Sequence, residues 1–257
     1  IRGKILGLNH PDYATSISNL ASLHRIMNDY EKAETLFIQA KNIREVVFGI
    51  NSYMYAASLN NLALLYEKMG QYIKAEAFYI QTAEIWKKTV TKNHPDYATC
   101  INNLAGLYKT IGQYEKSESL YLESIAIRKN ILGETNLDYS ASLNNLASLY
   151  NKLNQFSKAE ILYRQSIEIS KKVLGTKNVD YAMGINNLAG VLENGGKNID
   201  AEQLYIEALE INKEIFGLSH IETAVVMNNL AAFYQKTGNY TMAESLLKKA
   251  LEIKKNK

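Results

Sequence analysis

The pair of residues in this sequence that most resembles a nucleophile and its base is Cys100 with His94. A thiol becomes a working nucleophile only beside a base or a positive field, and that base needs a third group to orient it. No third group stands out here, and no loop is long enough to build an oxyanion hole. Cys100 also falls where Ser16, Ser58 and Ser142 fall at regular spacing, so it reads as a small residue of a repeat. His10, His94 and His220 share one position beside a helix start and read as turn residues. Six glutamates at fixed spacing (Glu34, Glu76, Glu118, Glu160, Glu202 and Glu244) suggest an acidic ladder or metal sites. Helices that pack about 8–10 Å apart hold such carboxylates too far from one another to share an ion. Their expected use is structural, near first-turn amides or beside Lys32, Lys74, Lys116 and Lys158. Phosphate loops and zinc spacings are absent. The expectation is no catalytic residue, no metal, no cofactor, and a chain that is not an enzyme.

Asparagine is the polar residue that helix propensity and burial leave unexplained. Its side chain competes for backbone hydrogen bonds, which makes it a mediocre helix former. Yet Asn-Asn stands at 60–61, 102–103, 144–145, 186–187 and 228–229, with Ser18-Asn19 ahead of them. A carboxamide carries two donors and an acceptor, a set that suits the backbone of an extended peptide. The first members (Asn60, Asn102, Asn144, Asn186 and Asn228) are the stronger candidates for that role. The second members (Asn61, Asn103, Asn145, Asn187, with Asn19 and Asn229) either join them or bond a neighbouring helix and set the geometry.

These residues sit on a strict repeat. Asn-Leu-Ala begins at Asn19, Asn61, Asn103, Asn145, Asn187 and Asn229, each 42 residues after the last, without insertion or deletion. Such a period marks a stack of identical supersecondary units, each touching only its neighbours. Within one unit, Ala56, Leu59, Leu62, Ala63 and Tyr66 fall at helical spacing, and Ala75, Phe78, Tyr79, Ala83 and Ile85 repeat the pattern after Gly70. Asn28, Gly70, Gly112, Asn154, Gly196 and Gly238 hold the turn between them, the two residue types that best tolerate a left-handed backbone. Gly49, Gly133, Gly175 and Gly217 end the second helix, with Thr91 as the exception. Pro11-Asp12 and Pro95-Asp96 open the next first helix; the ring fits the first turn and the carboxylate complements the helix dipole. The paired glycines Gly195-Gly196 mark the expected soft joint of the stack. Residues 1–11 align with the end of a second helix, so the chain is expected to start inside a preceding repeat. The repeats are then 12–53, 54–95, 96–137, 138–179, 180–221 and 222–257, forming one domain.

Bulk composition narrows the partner classes. Lysine and arginine number 29 against 26 acidic residues, spread along the chain, which argues against a nucleic-acid footprint. No run of 18 apolar residues exists and no signal peptide opens the chain, so no membrane is expected. One cysteine excludes an internal disulfide and fits a reducing, cytoplasmic compartment.

The all-α array of helical hairpins resembles the tetratricopeptide repeat. Small residues mark the crossing at Ala21, Ala63, Ala105, Ala147, Ala189 and Ala231, with Tyr three later at Tyr66, Tyr108, Tyr150 and Tyr234; His24 and Leu192 depart. The second helix answers with Ala33, Ala75, Ser117, Ala159, Ala201 and Ala243, then Phe37, Tyr79, Tyr121, Tyr163 and Tyr205. The family's usual unit of about 34 residues is lengthened here, adding about one to two turns to the second helix. This longer form is similar to the kinesin light chain repeats and to bacterial arrays that precede effector domains such as caspase-like proteases. The resemblance implies a right-handed α-solenoid of helix-turn-helix units whose first helices line a concave groove. It implies that the first asparagine of each pair contacts a peptide backbone, and that Arg44 and Arg128, after Ile in the second helix, join the site; Trp86, Ser170 and Asn212 break that track.

The expected function is a protein-interaction scaffold that binds a peptide or partner protein along the groove. After the tyrosine of each first helix stand Arg25, Glu67-Lys68, Lys109, Lys152, Glu193 and Lys236, five cations against two anions, which slightly favours an acidic peptide. The alternative is a regulatory or sensing region of a larger effector, with another domain of the same protein as its ligand. The apolar stripe of the last helix (Ala243, Leu246, Leu247, Ala250, Leu251 and Ile253) leads to the further expectation of end-to-end self-association.

Overall fold

The structure is a computed structural model that describes residues 7–90 and 93–255. Among the described residues it holds twelve α-helices and no strand. They alternate as first and second helices of hairpins: α1 Pro11–Ile26 and α2 Tyr30–Phe48; α3 Tyr53–Lys68 and α4 Tyr72–Thr89; α5 Pro95–Thr110 and α6 Tyr114–Leu132; α7 Leu137–Lys152 and α8 Phe156–Leu174; α9 Val179–Asn194 and α10 Asn198–Phe216; α11 Ile221–Thr237 and α12 Tyr240–Lys255. Each first helix begins one residue ahead of the repeat boundary read from the sequence. The chain divides into two compact units, residues 1–131 and 132–257, each with three hairpins. Residues 1–6 of the expected N-terminal tail, and Thr91, lie outside the described residues.

The hairpin turn has one geometry throughout. Asn28 and Asn154 adopt φ of 60° and 58°, and Gly70, Gly112, Gly196 and Gly238 lie between 72° and 84°. The backbone N–H after that residue returns to a carbonyl five residues back, as in Gln71 to Tyr66 at 2.8 Å and Lys197 to Leu192 at 2.8 Å. Gly195-Gly196 therefore keeps the common turn. The first helices start on side-chain caps. The Nδ1 atoms of His10, His94 and His220 accept the backbone N–H of Asp12, Asp96 and Glu222. Asn136, Ser52 and Asn178 do the same with side-chain oxygens. Each cap satisfies one otherwise orphaned donor.

The crossing of the two helices in a hairpin is built from buried small residues, among them Ala21, Ala33, Ala63 and Ala75. Where serine replaces alanine at 117, its hydroxyl donates to the Ala105 carbonyl of the facing helix at 2.7 Å, which removes the cost of burying it. Successive hairpins are clasped by the repeated glutamates. Tyr66 donates to Glu34 at 2.6 Å, Tyr108 to Glu76 at 2.9 Å, and Tyr234 to Glu202 at 2.8 Å. Leu192 supplies no phenol, and there Glu160 takes Lys197 at 2.8 Å and Arg164 instead. The expected lysine partners differ: Lys74 and Lys116 lie over the rings of Tyr66 and Tyr108, about 5 Å from the centroids.

Candidate functional site

The first helices of neighbouring hairpins lie side by side, and their asparagines meet. In the second unit Asn229 Nδ2 donates to Asn186 Oδ1 at 3.2 Å, joining the second amide of α11 to the first amide of α9. Two turns further along, Asn194 Nδ2 donates to Asn151 Oδ1 at 3.2 Å, joining α9 to α7. At this seam a second member of one pair meets a first member of another. The first member is often the more sheltered. Asn102 is buried and engaged by other groups, and the Oδ1 atoms of Asn60 and Asn144 are shielded without a hydrogen-bond partner. Asn186 and Asn228 are half-buried, as are Asn61, Asn103, Asn145 and Asn229, while Asn187 is exposed. Beside this row in the second unit Met183 and Val225 present apolar side chains to solvent. That pairing was not singled out from the sequence, because Thr15, Ala57, Thr99 and Ala141 hold the same place in other repeats.

Several of the charged side chains on this face already have partners. Glu67 accepts from Tyr79 at 2.8 Å and Glu193 from Tyr205 at 2.9 Å, so both anions are tied to the second helix of their own hairpin. Lys236 is committed to Glu193 at 2.6 Å. Lys109 and Lys152 are also engaged, and Lys68 is exposed.

Arg44 and Arg128 lie between helices. They were expected beside a peptide, but each is only 5% exposed. Arg44 donates to Ser58 Oγ at 2.8 Å and to Thr15 Oγ1 at 3.4 Å, tying α2 to α1 and α3. Burial pushes its pKa below the usual guanidinium value. Arg128 donates to Thr99 Oγ1 at 2.9 Å. An arginine's stem packs well between helices, and hydroxyl acceptors at its head make it a spacer here.

Cys100 is fully buried and its thiol donates to the Tyr79 carbonyl at 3.4 Å. Burial pushes its pKa well above that of a free thiol, the opposite of what a nucleophile needs. His94 spends Nδ1 on its cap. Among the described residues no three His, Cys, Asp or Glu side chains gather to hold a metal, and no helix is long and apolar enough to cross a membrane.

Tetratricopeptide repeat models match residues 14–52, 54–130, 102–172 and 180–256. The chain belongs to the tetratricopeptide repeat family. Its fold is similar to that of BtubC (BKLC) from P. vanneervenii, at 21% identity and TM-score 0.71, covering 90% of this chain and 91% of that one. It is similar as well to a putative kinesin light chain from Podosopora anserina with nearly identical repeats, at 24% identity and TM-score 0.69, covering 80% and 97%. A signal transduction ATPase with a tetratricopeptide repeat sensor from Pyrococcus horikoshii matches at 19% identity and TM-score 0.68, covering 93% of this chain and 36% of that one. No curated protein matches the chain at a significant level.

Proposed function

We propose that the chain is a protein-interaction scaffold that holds an extended segment of a partner against the first helices of its hairpins. The observation that carries this reading is the amide row of the second unit, Asn144-Asn145, Asn186-Asn187 and Asn228-Asn229. It runs across α7, α9 and α11 with the Asn229–Asn186 bond as its seam. Carboxamides both donate and accept, as a peptide backbone does, and they bind it without selecting its side chains. Met183 and Val225 offer apolar contact for alternate side chains of the same segment. The first unit carries a shorter version of the row at Asn60-Asn61 and Asn102-Asn103.

The test is selection of peptides from a display library against the chain, followed by calorimetry on the best binder. Asn187 is exposed and Asn228 half-buried, so Asn187→Ala with Asn228→Ala should change thermal stability by less than about 1 kcal/mol. Losing two hydrogen bonds of about 0.5–1.5 kcal/mol each should weaken binding about fivefold to a hundredfold. Full affinity in that double variant refutes the amide row as the binding element.

A second reading is favoured by the match to a protein whose repeats are described as a sensor. In that reading the ligand is another domain of one larger effector, such as a repeat-linked caspase-like protease. The full open reading frame decides between a partner in trans and one in cis.

A further inference from the structure

The phenols that the second helices send towards the first are not all alike. Tyr79, Tyr121, Tyr163 and Tyr205 hold one place in successive hairpins, where Phe37 carries no hydroxyl. Tyr79 donates to Glu67 at 2.8 Å, Tyr205 donates to Glu193 at 2.9 Å, and the Tyr163 phenol is hydrogen-bonded to Ser148, each inside its own hairpin. Tyr121 is only 1% exposed, yet its hydroxyl has no hydrogen-bond partner among the described residues. The sequence gives the reason. Lys109 stands where Glu67 and Glu193 stand, and Gly106 stands where Ser148 stands, so the third hairpin lacks both acceptors that its sisters use. A buried hydroxyl left unpaired is a standing cost, and it calls for an explanation.

Gly106 sets what that hydroxyl faces. A Cβ at Gly106 would lie 3.4 Å from the Tyr121 hydroxyl, and no other packed side chain comes within 4 Å of it. Gly106 is half-buried and sits one turn beyond Asn102 and Asn103, on the face of α5 along which the amide row runs. The missing side chain therefore opens a pit beside the amides, with a phenol as its floor. Gly190 makes the same pit over Tyr205, again at 3.4 Å, but that phenol is already given to Glu193.

We propose that the pit at Gly106 is a subsite of the first unit, in which the Tyr121 phenol donates a hydrogen bond to a backbone carbonyl of the extended partner segment. The subsite rests on the reading of the amide row as a peptide-binding face. Burial keeps the phenol protonated, so it brings a donor. The acceptor is neutral because Glu67 lies close enough to oppose the ionisation of Tyr121, and its carboxylate would repel a second anion. That carboxylate is itself taken by Tyr79, which leaves the Tyr121 donor to the ligand. A glycine at 106 lets the backbone of an incoming segment approach the helix closely, as a side chain there would not.

Tyr121→Phe keeps the ring and removes only the donor. In the ligand-free chain it should leave the thermal midpoint unchanged or raised, whereas Tyr79→Phe, which strands Glu67, should lower it. Peptide-display selection on the 257-residue chain, with counter-selection on its Tyr121→Phe variant, then isolates segments that use this phenol. By calorimetry they should bind the wild type about threefold to tenfold more tightly than the variant. Gly106→Ser separates stability from binding. Its hydroxyl copies Ser148, engages the phenol and fills the pit, so the midpoint should rise while affinity for those segments falls about tenfold or more. Tyr163→Phe, at a phenol already bonded to Ser148, should leave their affinity unchanged. A Tyr121→Phe midpoint that falls as far as that of Tyr79→Phe reveals a partner inside the chain and overturns the proposal. So does a selection that yields no segment preferring the wild type. A preference that vanishes when the segment's acidic residues are replaced by their amides also overturns it, because the acceptor is then a carboxylate. Binders weakened by Asn187→Ala with Asn228→Ala but not by Tyr121→Phe leave the amide row standing and refute the phenol subsite.

Discussion

A carboxylate on one second helix and a phenol on the following first helix form the contact that recurs along this chain. The phenol is the better donor because burial and the facing carboxylate both keep it protonated: Tyr234 has its pKa pushed up to about 12, by desolvation first and by Glu202 second. A hydrogen bond to a charged acceptor contributes about 1.5–3 kcal/mol. Tyr234→Phe keeps the ring and removes only the donor, so it should lower unfolding free energy by about 1.5 kcal/mol, read as a reduced urea midpoint at unchanged slope. The Lys197–Glu160 pair is a weaker substitute, because Lys197 is largely exposed, and Lys197→Ala should cost less than about 1 kcal/mol. A structural use for these glutamates was legible from their spacing. Their partner was not, because it lies 32 residues ahead on another hairpin, whereas local lysines offered a nearer pairing. The burial of Arg44 and Arg128 was illegible for a related reason: their hydroxyl acceptors Ser58 and Thr99 look like ordinary helix residues until α2 and α6 are packed.

Two glycines of α9 and its turn respond in opposite ways to the same substitution. Gly195 has φ −83°, open to any residue, and Met27, Met69, Ile111 and Leu153 occupy the same place in other repeats. Gly195→Ala removes freedom from the unfolded chain without straining the folded one, and should stabilise by about 0.4–1 kcal/mol. Gly184 stands where other repeats have Ser58, Cys100 and Ser142, yet a Cβ there would meet Ile167 Cγ1 at 2.8 Å. Gly184→Ala should therefore destabilise by about 1–3 kcal/mol, since Ile167 must leave its place between α8 and α9. Thermal unfolding of the two variants side by side checks both signs. The element order, the turn positions and the small-residue crossings were all readable, because each depends on residues close in sequence or repeated at one period. Which departures from the repeat matter was not readable. Gly195-Gly196 looked like the weak point, yet the Lys197 N–H still returns to Leu192 as in every other turn. The tighter constraint lies at Gly184, where a branched neighbour takes up the missing side chain.

At the scale of the whole molecule, one residue type repeated at fixed positions makes a local effect general. Tyr66, Tyr97, Tyr108, Tyr181 and Tyr234 all have their pKa pushed up to about 12, chiefly by burial and then by a facing carboxylate. Tyr79, Tyr121 and Tyr205 are raised further still, burial again being the first cause. In the unfolded chain these phenols titrate near the ordinary value of about 10. A raised folded-state pKa means that the folded form holds the proton more tightly. Its contribution to stability is complete below about pH 10 and is lost as the pH climbs towards about 12. Each hairpin is supported mainly by its neighbours, so deprotonating one clasp loosens the hairpin on either side of it. The expected result is a urea midpoint that is flat up to about pH 10 and then falls steeply. The phenolate absorbance that belongs to the buried tyrosines should rise together with the loss of helicity, since these rings ionise only as their hairpins open. Early phenolate that disappears in a variant with Tyr66, Tyr108 and Tyr234 changed to Phe would show that these rings reach water in the folded chain. Tyr66→Phe, Tyr108→Phe and Tyr234→Phe combined should lower the midpoint at neutral pH and flatten its alkaline fall, because three of the groups that titrate there are gone.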